Sequence, residues 1–247
     1  MEILYFDETD STNNRAKQLG EEGGRDRTIL IADRQTGGRG RVGRSFDSPR
    51  GEGIYCSILL RPELRPHEAP RLTLLAALAV RKAHLSAAGL ETGIKWPNDL
   101  VRGGKKLCGI LTEMSLTGNA VAYVVVGIGI NVHQKGFSEE LSPVATSVFL
   151  ETGKEVSRQE IRDALFPAFF SYYDRFLEIR DLSFVLDEYN SLLVNRGEKV
   201  EILDPREPYI GTAMGIDENG GLLVKKDHEI RTVTSGEVSV RGVYGYV

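Results

Sequence analysis

The sequence predicts an α+β fold in which a mixed β-sheet flanked by helices is followed by a small β-barrel. Two observations predict this arrangement. Strand-like and helix-like runs share the first 194 residues without a regular β-α-β alternation. From about residue 195 onward, short β-rich runs alternate with turns. We therefore predict two domains, at residues 1–194 and 195–247.

The strands of the first domain follow from apolar or β-rich runs. They are predicted at residues 2–6, 28–32, 54–60, 93–96, 107–113 and 121–132. Two segments are predicted as loops, residues 35–53 with their six glycines and residues 97–105.

The helices of the first domain follow from capping residues and periodicity. A helix toward Leu19 is predicted after the N-cap candidates at residues 10–13, with Gly20 as its C-cap. The clearest helix spans residues 70–89, where apolar residues recur at i, i+3 and i+4. Two more are predicted, at residues 159–179 with a bend at Pro167 and at residues 183–193.

The second domain is predicted from short β runs of similar length. These runs lie at residues 199–203, 209–215, 222–225, 230–233 and 238–241. Residues 217–221 read Asp-Glu-Asn-Gly-Gly, which is typical of a hairpin turn.

Composition argues against several classes of function and location. The 31 basic and 35 acidic residues give a net charge of −4, which argues against broad nucleic-acid or membrane binding. The longest apolar stretch, residues 120–130, is shorter than the roughly 18–20 residues of a membrane span. No signal peptide pattern opens the sequence, so we expect a cytoplasmic protein. Cys56 and Cys108 lie in apolar runs and are expected to be reduced core thiols.

Residues 34–50 depart from this acidic balance, with five arginines and one acid. Residues 38–43 read Gly-Arg-Gly-Arg-Val-Gly and match GxGxxG, but a dinucleotide site needs a helix to begin inside the motif, and here Pro49 and a strand follow. An alternative is a glycine loop that holds an anion through arginines and backbone N–H donors. A solvated basic loop and a nucleic-acid-binding arm are the other interpretations. We call residues 38–44 the arginine loop.

Three other segments place polar residues at the ends of apolar runs. Residues 95–99 read Lys-Trp-Pro-Asn-Asp and suit either a structured turn or a ligand contact. Lys106 enters a buried run, so it must point outward or pair with an anion. Glycines in residues 127–131 allow tight helix packing or close approach of a ligand, and Asn131 is a candidate contact. The sequence contains no P-loop, HExxH, CxxC or GxSxG motif, which favours chemistry by anion binding without a covalent nucleophile.

In this order and spacing, the motifs resemble those of the biotin protein ligases. The match runs through residues 10–13, Gln35, the arginine loop, residues 95–99, residues 106–113 and residues 127–132. The resemblance implies a catalytic fold related to class II aminoacyl-tRNA synthetases and an SH3-like C-terminal barrel. It also implies a biotin–[acetyl-CoA-carboxylase] ligase, which makes biotinyl-5′-AMP from biotin and ATP and transfers biotin to a carrier lysine.

The resemblance assigns roles to individual residues. It implies that Lys106, Arg39 and Asp99 are catalytic, with Asp99 orienting groups or accepting the proton of the acceptor lysine. Asn131 would lie near phosphate and Mg²⁺, and Trp96 with residues 107–111 would form an apolar wall. The residues that would bind biotin and the adenylate are Ser11, Thr12, Asn13, Gln35, Gly38, Arg39, Gly40, Arg41, Trp96, Lys106, Gly109 and Asn131.

The implied partners are biotin, ATP with Mg²⁺, and the biotin carboxyl carrier protein of acetyl-CoA carboxylase. Regulatory members carry an N-terminal winged helix-turn-helix, for which this sequence leaves no room, so we expect the ligase-only type, without DNA or membrane binding. Members of the family dimerise through an edge of the central sheet, which leaves a homodimer open. Phe46 stands where many members have Trp, and Val42 where Arg is common. A lipoate–protein ligase is the nearest rival, but the arginine loop followed by Lys-Trp-Pro-Asn-Asp favours the biotin branch.

Overall fold

The computed structural model describes residues 2–204, 207–234 and 239–242. Its larger sheet contains β1 (Glu2–Phe6), β2 (Thr28–Ala32), β3 (Gly53–Leu60), β4 (Gly93–Lys95), β5 (Asp99–Arg102), β6 (Lys105–Thr117) and β7 (Ala120–Asn131). Its smaller sheet contains β8 (Lys199–Leu203), β9 (Tyr209–Ile216), β10 (Leu222–Lys226), β11 (Glu229–Val233) and β12 (Ser239–Gly242). The α-helices are α1 (Thr12–Glu21), α2 (Arg71–Ala88), α3 (Val148–Thr152), α4 (Arg158–Ile179) and α5 (Leu186–Leu192), and single 3₁₀ turns lie at Arg41–Gly43 and Ser183–Val185.

The larger sheet is mixed, as predicted. Its strand order is β1-β2-β3-β7-β6-β5-β4. β1 runs parallel to β2, and the other neighbours are antiparallel. The smaller sheet is antiparallel in the order β11-β10-β9-β8-β12, and residues 217–221 join β9 to β10 as the predicted hairpin turn. Of the last predicted strand, residue 238 lies outside the described residues.

Helices cover both faces of the larger sheet, which is why β2 and β3 are buried along their whole length. Leu59 of β3 packs with Ala16 of α1 on one face. Its neighbour Ile58 belongs to the cluster on the other face, where α2 and α4 pack together, because successive strand residues point to opposite sides. α2 begins after Pro70 and closes at Gly89 in the left-handed conformation, as predicted.

Two predictions of local structure are wrong. The loop predicted at residues 97–105 contains β5, whose Leu100 and Val101 are buried and pair with β6. α1 passes through Gly20 and ends at Glu21, and the N–H of Gly24 closes the turn on the Leu19 carbonyl at 2.8 Å. Gly20 serves packing instead, since a Cβ there would lie 2.9 Å from the Tyr123 ring.

The core is continuous between the two sheets. One cluster of buried apolar side chains runs from α2 and α4 to β8, β9 and β10. Cys56 and Cys108 are buried and free, which confirms the predicted reduced thiols, and burial raises the pKa of Cys56 to about 12. Among the described residues, none of the helices combines the length and apolar character needed to cross a membrane.

Candidate active site

A cavity opens where the start of α1, the arginine loop and strands β3, β6 and β7 meet. Its lining residues are Ser11, Thr12, Asn13, Gln35, Arg39, Gly40, Arg41, Phe46, Cys56, Asn98, Lys106, Gly109, Ile110, Leu111, Gly127, Ile128 and Gly129. The structure thus brings together residues that are up to 118 positions apart in the sequence, most of which belong to the sequence motifs.

One end of the cavity carries neutral donors and acceptors. The backbone N–H and the hydroxyl of Thr12 both donate to Gln35 Oε1, at 2.8 and 3.0 Å. Gln35 Nε2 donates in turn to Ser48 Oγ at 3.0 Å. Ser11 is the N-cap residue of α1, but its side chain makes no capping hydrogen bond. This neutral end fixes the orientation of Gln35 and leaves the Ser11 hydroxyl beside the cavity.

The first turn of α1 is locked onto the sheet through Asn13. Its Nδ2 donates to Glu113 Oε2 at 2.8 Å and to the Leu111 carbonyl at 3.3 Å. The amide fits only because Gly127 has no side chain, since a Cβ there would lie 2.0 Å from Asn13 Oδ1. Burial raises the pKa of Glu113, but its bonds from Asn13 and Lys17 outweigh burial, so the net pKa is lowered. Glu113 therefore stays ionised.

Two glycines form a floor on which Phe46 rests. A Cβ at Gly129 would lie 2.7 Å from the Phe46 ring, and one at Gly109 would lie 2.9 Å from Lys106 Nζ. The Phe46 ring also meets Tyr55 edge-on at 6.5 Å. Gly127 thus makes room for helix α1 through Asn13, which is the helix-packing interpretation of the sequence, while Gly129 makes room for Phe46. Close approach of a ligand to these glycines stays a prediction.

The charged end of the cavity centres on Lys106. Its Nζ lies 2.8 Å from Asp99 Oδ1, so the lysine pairs with an anion. The Lys106 N–H donates to the Val144 carbonyl at 2.8 Å, and its carbonyl accepts from the Thr146 N–H at 2.9 Å. A bulge in the pairing of β5 with β6 falls beside Lys106. The backbone of this residue is therefore held on both sides.

The arginine loop adds positive charge above this end. Gly38 and Phe46 pair through the backbone at 2.9 Å, and a Cβ at Gly38 would meet the Phe46 carbonyl at 2.3 Å. Arg39 Nη1 donates to Asn14 Oδ1 at 3.1 Å. Burial lowers the pKa of Arg41, and the charge of Asp99 opposes this shift. With Lys106, these arginines can neutralise two anions brought together in the cavity.

Four residues of the predicted site do not line this cavity: Gly38, Trp96, Asp99 and Asn131. Gly38 packs against the Phe46 carbonyl, and Asp99 pairs with Lys106. Trp96 does not line the cavity, because its side chain is 1% exposed and its Nε1 donates to the Gly220 carbonyl of the smaller sheet at 3.0 Å. Asn131 is 5% exposed, and its Nδ2 donates to the Thr146 carbonyl at 2.9 Å. The apolar wall expected from Trp96 is formed instead by residues 110–111, Ile128 and Phe46.

The lining residues that the sequence-based assignment missed include Phe46, Cys56 and Asn98 in this cavity and Glu113 in a second one. Asn98 exchanges hydrogen bonds with Ile110, and it borders this cavity and a wider second cavity on the far side of the arginine loop. Asn98 stands inside the Lys-Trp-Pro-Asn-Asp motif, so that motif could have indicated it. Glu113 ends the motif at residues 106–113, but no role was assigned to its carboxylate.

The described part of the chain contains no group of three or more His, Cys, Asp or Glu side chains that could hold a metal ion. A divalent ion could still enter on a ligand, since Mg²⁺ is commonly bound through substrate phosphates with few protein carboxylates.

Comparison with known proteins gives two family matches. The model of the Biotin/lipoate A/B protein ligase family matches residues 5–131. The model of the Biotin protein ligase C terminal domain matches residues 197–241. These ranges cover the larger sheet except for the first three residues of β1, together with the cavity and most of the smaller sheet.

Relatives match along nearly the whole chain. A biotin–[acetyl-CoA-carboxylase] ligase from Paracoccus denitrificans is 33% identical, over 95% of this chain and 98% of the relative. The bifunctional ligase/repressor BirA of Bacillus subtilis is 34% identical, over 96% of this chain and 74% of the relative. The structure of a biotin protein ligase from Aquifex aeolicus in complex with biotin and ATP is similar with a TM-score of 0.83, 34% identity and coverage of 98% and 99% of the two chains. The chain therefore belongs to the biotin protein ligases, within the biotin/lipoate A/B protein ligase family.

Proposed function

We propose that this chain joins biotin to ATP to form biotinyl-5′-AMP and then transfers the biotinyl group to one lysine of a biotin carboxyl carrier protein. The observation that carries the proposal is the division of one cavity into a neutral end and a cationic end. The neutral end suits an uncharged ureido ring, and the cationic end suits a carboxylate next to a phosphate. The biotin and ATP in the Aquifex aeolicus complex support the same substrates here.

In the first step a carboxylate oxygen of biotin attacks the α-phosphorus of ATP. A new O–P bond forms, the bond to the β-phosphate breaks, and pyrophosphate leaves. Because two anions must meet, fixed positive charge lowers the barrier. Lys106 supplies this charge from the sheet, and Arg39 and Arg41 supply it from the arginine loop. Asp99 holds the Lys106 ammonium from 2.8 Å.

In the second step the amine of the carrier lysine attacks the biotinyl carbonyl, a C–N bond forms, and AMP leaves. The amine must lose a proton, and its unperturbed pKa is about 10.4. Asp99 is a poor acceptor for it, because protonating Asp99 would leave the Lys106 charge unpaired. Of the two roles that the resemblance implies for Asp99, the ion pair supports orientation of Lys106.

Several finer features belong to the same proposal. Mg²⁺ enters with the phosphates of ATP. Residues 1–194 form a catalytic domain related to class II aminoacyl-tRNA synthetases, and residues 195–247 an SH3-like barrel. The carrier belongs to acetyl-CoA carboxylase, and the reaction takes place in the cytoplasm. No DNA is bound, in keeping with the net charge of −4, and any homodimer uses an edge of the larger sheet.

The experiment that tests the proposal is the exchange of labelled pyrophosphate into ATP, with Mg²⁺ and either biotin, lipoate or no acid. We expect exchange with biotin alone. Exchange with lipoate alone would assign the chain to the lipoate branch, and exchange with neither acid would refute the adenylation step.

Two neighbouring lysines provide a matched pair for the same assay. Lys106 lies in the cavity, whereas Lys105 Nζ donates to the Ser142 carbonyl at 2.8 Å and does not line the cavity. We expect Lys106→Gln to slow exchange by about 10²-fold or more. Lys105→Gln should leave it unchanged, and equal losses in both variants would remove Lys106 from the mechanism.

A further inference from the structure

The hairpin turn at residues 217–221 joins β9 to β10, and we call it the barrel turn. It accepts hydrogen bonds from Arg71 of α2 and from Trp96, which directly follows β4. The Gly220 carbonyl accepts from Trp96 Nε1 at 3.0 Å. Asn219 accepts from Arg71, with its side-chain oxygen at 2.7 Å from Nη2 and its carbonyl at 3.3 Å from Nε. Both donors are buried, since Trp96 is 1% and Arg71 is 6% exposed.

The barrel turn fits tightly at this position. Gly220 has φ +83°, a conformation that other residues rarely adopt, and a Cβ there would lie 3.1 Å from Leu74 and 3.2 Å from Leu182. The Arg71 guanidinium is fixed by a third bond, from Nη1 to the Arg180 carbonyl at 2.6 Å. The contact is therefore a specific, buried set of hydrogen bonds.

The two chain segments that are hydrogen-bonded to the barrel turn also contain residues that line the cavities. Arg71 is the first residue of α2, and Pro70 and Thr73 on either side of it line the second cavity. Trp96 stands two residues before Asn98 and three before Asp99, the carboxylate that holds Lys106. A displacement of Trp96 would thus move the chain segment that carries the partner of Lys106.

The neutral end of the cavity is fixed by hydrogen bonds that do not involve the barrel turn. Thr12 and Gln35 bond to each other, and Gln35 bonds to Ser48. The barrel turn therefore has a direct route to the charged end only.

We infer that Trp96 is a positioning residue for adenylation, and that the barrel turn acts through its bond to Trp96 to hold Asn98 and the Asp99–Lys106 pair in their working geometry. This inference deepens the proposed function and rests on it. It predicts that loosening the turn slows the chemical step and leaves biotin recognition intact.

The first test is Trp96→Phe, which keeps an aromatic ring and removes the N–H donor. We expect kcat for biotinyl-AMP formation to fall about 10-fold, because small misplacements of reacting groups are costly. The KM for biotin should stay within about two-fold. A core variant, Phe169→Leu, provides the control for lost stability, since Phe169 is buried in α4 and lines neither cavity. It should lower Tm and keep kcat.

The second test uses Asn219, whose exposed position at the tip of the turn allows substitution without burial of a new group. Asn219→Ala removes the side-chain acceptor for Arg71 Nη2 and leaves only the longer bond to the backbone carbonyl, whereas Asn219→Asp keeps both acceptors. We expect backbone amides of residues 98–106 to exchange hydrogen about 10-fold faster in Asn219→Ala. Asn219→Asp should restore slow exchange, and the amides of α1 should be unaffected in both variants.

These readouts distinguish a failure of the proposed function from a failure of the positioning role of Trp96. If the wild-type chain makes no biotinyl-AMP, the proposed function fails, while hydrogen exchange still reports whether the barrel turn holds residues 98–106. If the wild type is active, three results would overturn the inference: an unchanged kcat in Trp96→Phe, a parallel loss of kcat in Phe169→Leu, or unchanged exchange in Asn219→Ala.

Discussion

The ion pair between Lys106 and Asp99 joins the second residue of β6 to the first residue of β5, and the two side chains have different surroundings. Lys106 reaches into the cavity, while the Asp99 side chain is 13% exposed behind it. A carboxylate in this position orients the Lys106 ammonium and has little access to substrate. The chemistry at this site therefore depends on a residue that need not touch the reacting atoms.

We expect Asp99→Asn to slow both half-reactions, each by about 10²-fold, because the amide keeps the shape but no longer pairs with Lys106. Single-turnover measurements of biotinyl-AMP formation, and of biotin transfer from added biotinyl-AMP, check this directly. A loss confined to the transfer step would instead make Asp99 the acceptor of the lysine proton.

His84 of α2 is a second residue with a defined consequence. Its ring is fully buried, and neither nitrogen has a hydrogen-bond partner among the described residues. Burial lowers the pKa of His84 to about 3. The unfolded chain takes up this proton below pH 6.5 and the folded chain does not, so stability falls as pH drops from 6.5 toward 3.

We therefore expect His84→Leu to remove about 1 kcal/mol of the acid-induced loss of stability between pH 7 and pH 5.5. Urea unfolding at the two pH values measures it. The exposed His67 provides the control, since His67→Gln should keep the wild-type pH dependence. Parallel pH profiles for wild type and His84→Leu would contradict the expectation.

At the scale of the element, glycines in the paired strands β6 and β7 leave room for side chains that pack directly on the backbone. Gly129→Ala would force the Phe46 ring away from the floor of the cavity. We expect the Kd for biotin to rise about 10-fold or more, which corresponds to the 1–3 kcal/mol typical of overpacking. Calorimetric titration measures this, and Gly136→Ala is the matched control, because a Cβ at Gly136 meets no atom within 4 Å. An unchanged Kd in Gly129→Ala would show that Phe46 can move freely.

The elements were predictable where apolar runs were long. The helix at residues 70–89 and the strand at residues 28–32 have periodicity and capping signals that agree with their tertiary role. β5 escaped prediction because Leu100 and Val101 form too short a run, and turn-forming residues flank it on both sides. Gly20 was misassigned as a cap because the Tyr123 ring that requires a glycine there comes from a distant strand.

In the candidate site, too, the features that depend on residues distant in the sequence could not be predicted. The sequence motifs indicated Lys106, the arginine loop and the strand glycines, because each is unusual in its local context. Trp96 was placed in the cavity because of the motif in which it stands, yet its hydrogen-bond partner Gly220 lies 124 residues away. Glu113 lies in the motif at residues 106–113, but its role follows only from the bonds that Asn13 and Lys17 donate to it in the structure. Such long-range partners leave no trace in local pattern.

At the scale of the whole molecule, the two sheets share one apolar core, and buried hydrogen bonds from Trp96 and Arg71 add to it. Separating the two sheets would expose apolar surface of this shared core to water. We expect a single cooperative thermal transition, with calorimetric and van't Hoff enthalpies equal. Two resolved transitions would show that residues 195–247 unfold independently.

The bond from Trp96 to the smaller sheet has an optical consequence. Trp96 is the one tryptophan of the sequence, and its indole is enclosed by protein. All tryptophan fluorescence of the chain therefore originates at the junction of the two sheets. Its emission will shift to longer wavelength whenever water reaches that junction, so the chain carries a built-in fluorophore that reports, without any label, when its two parts separate.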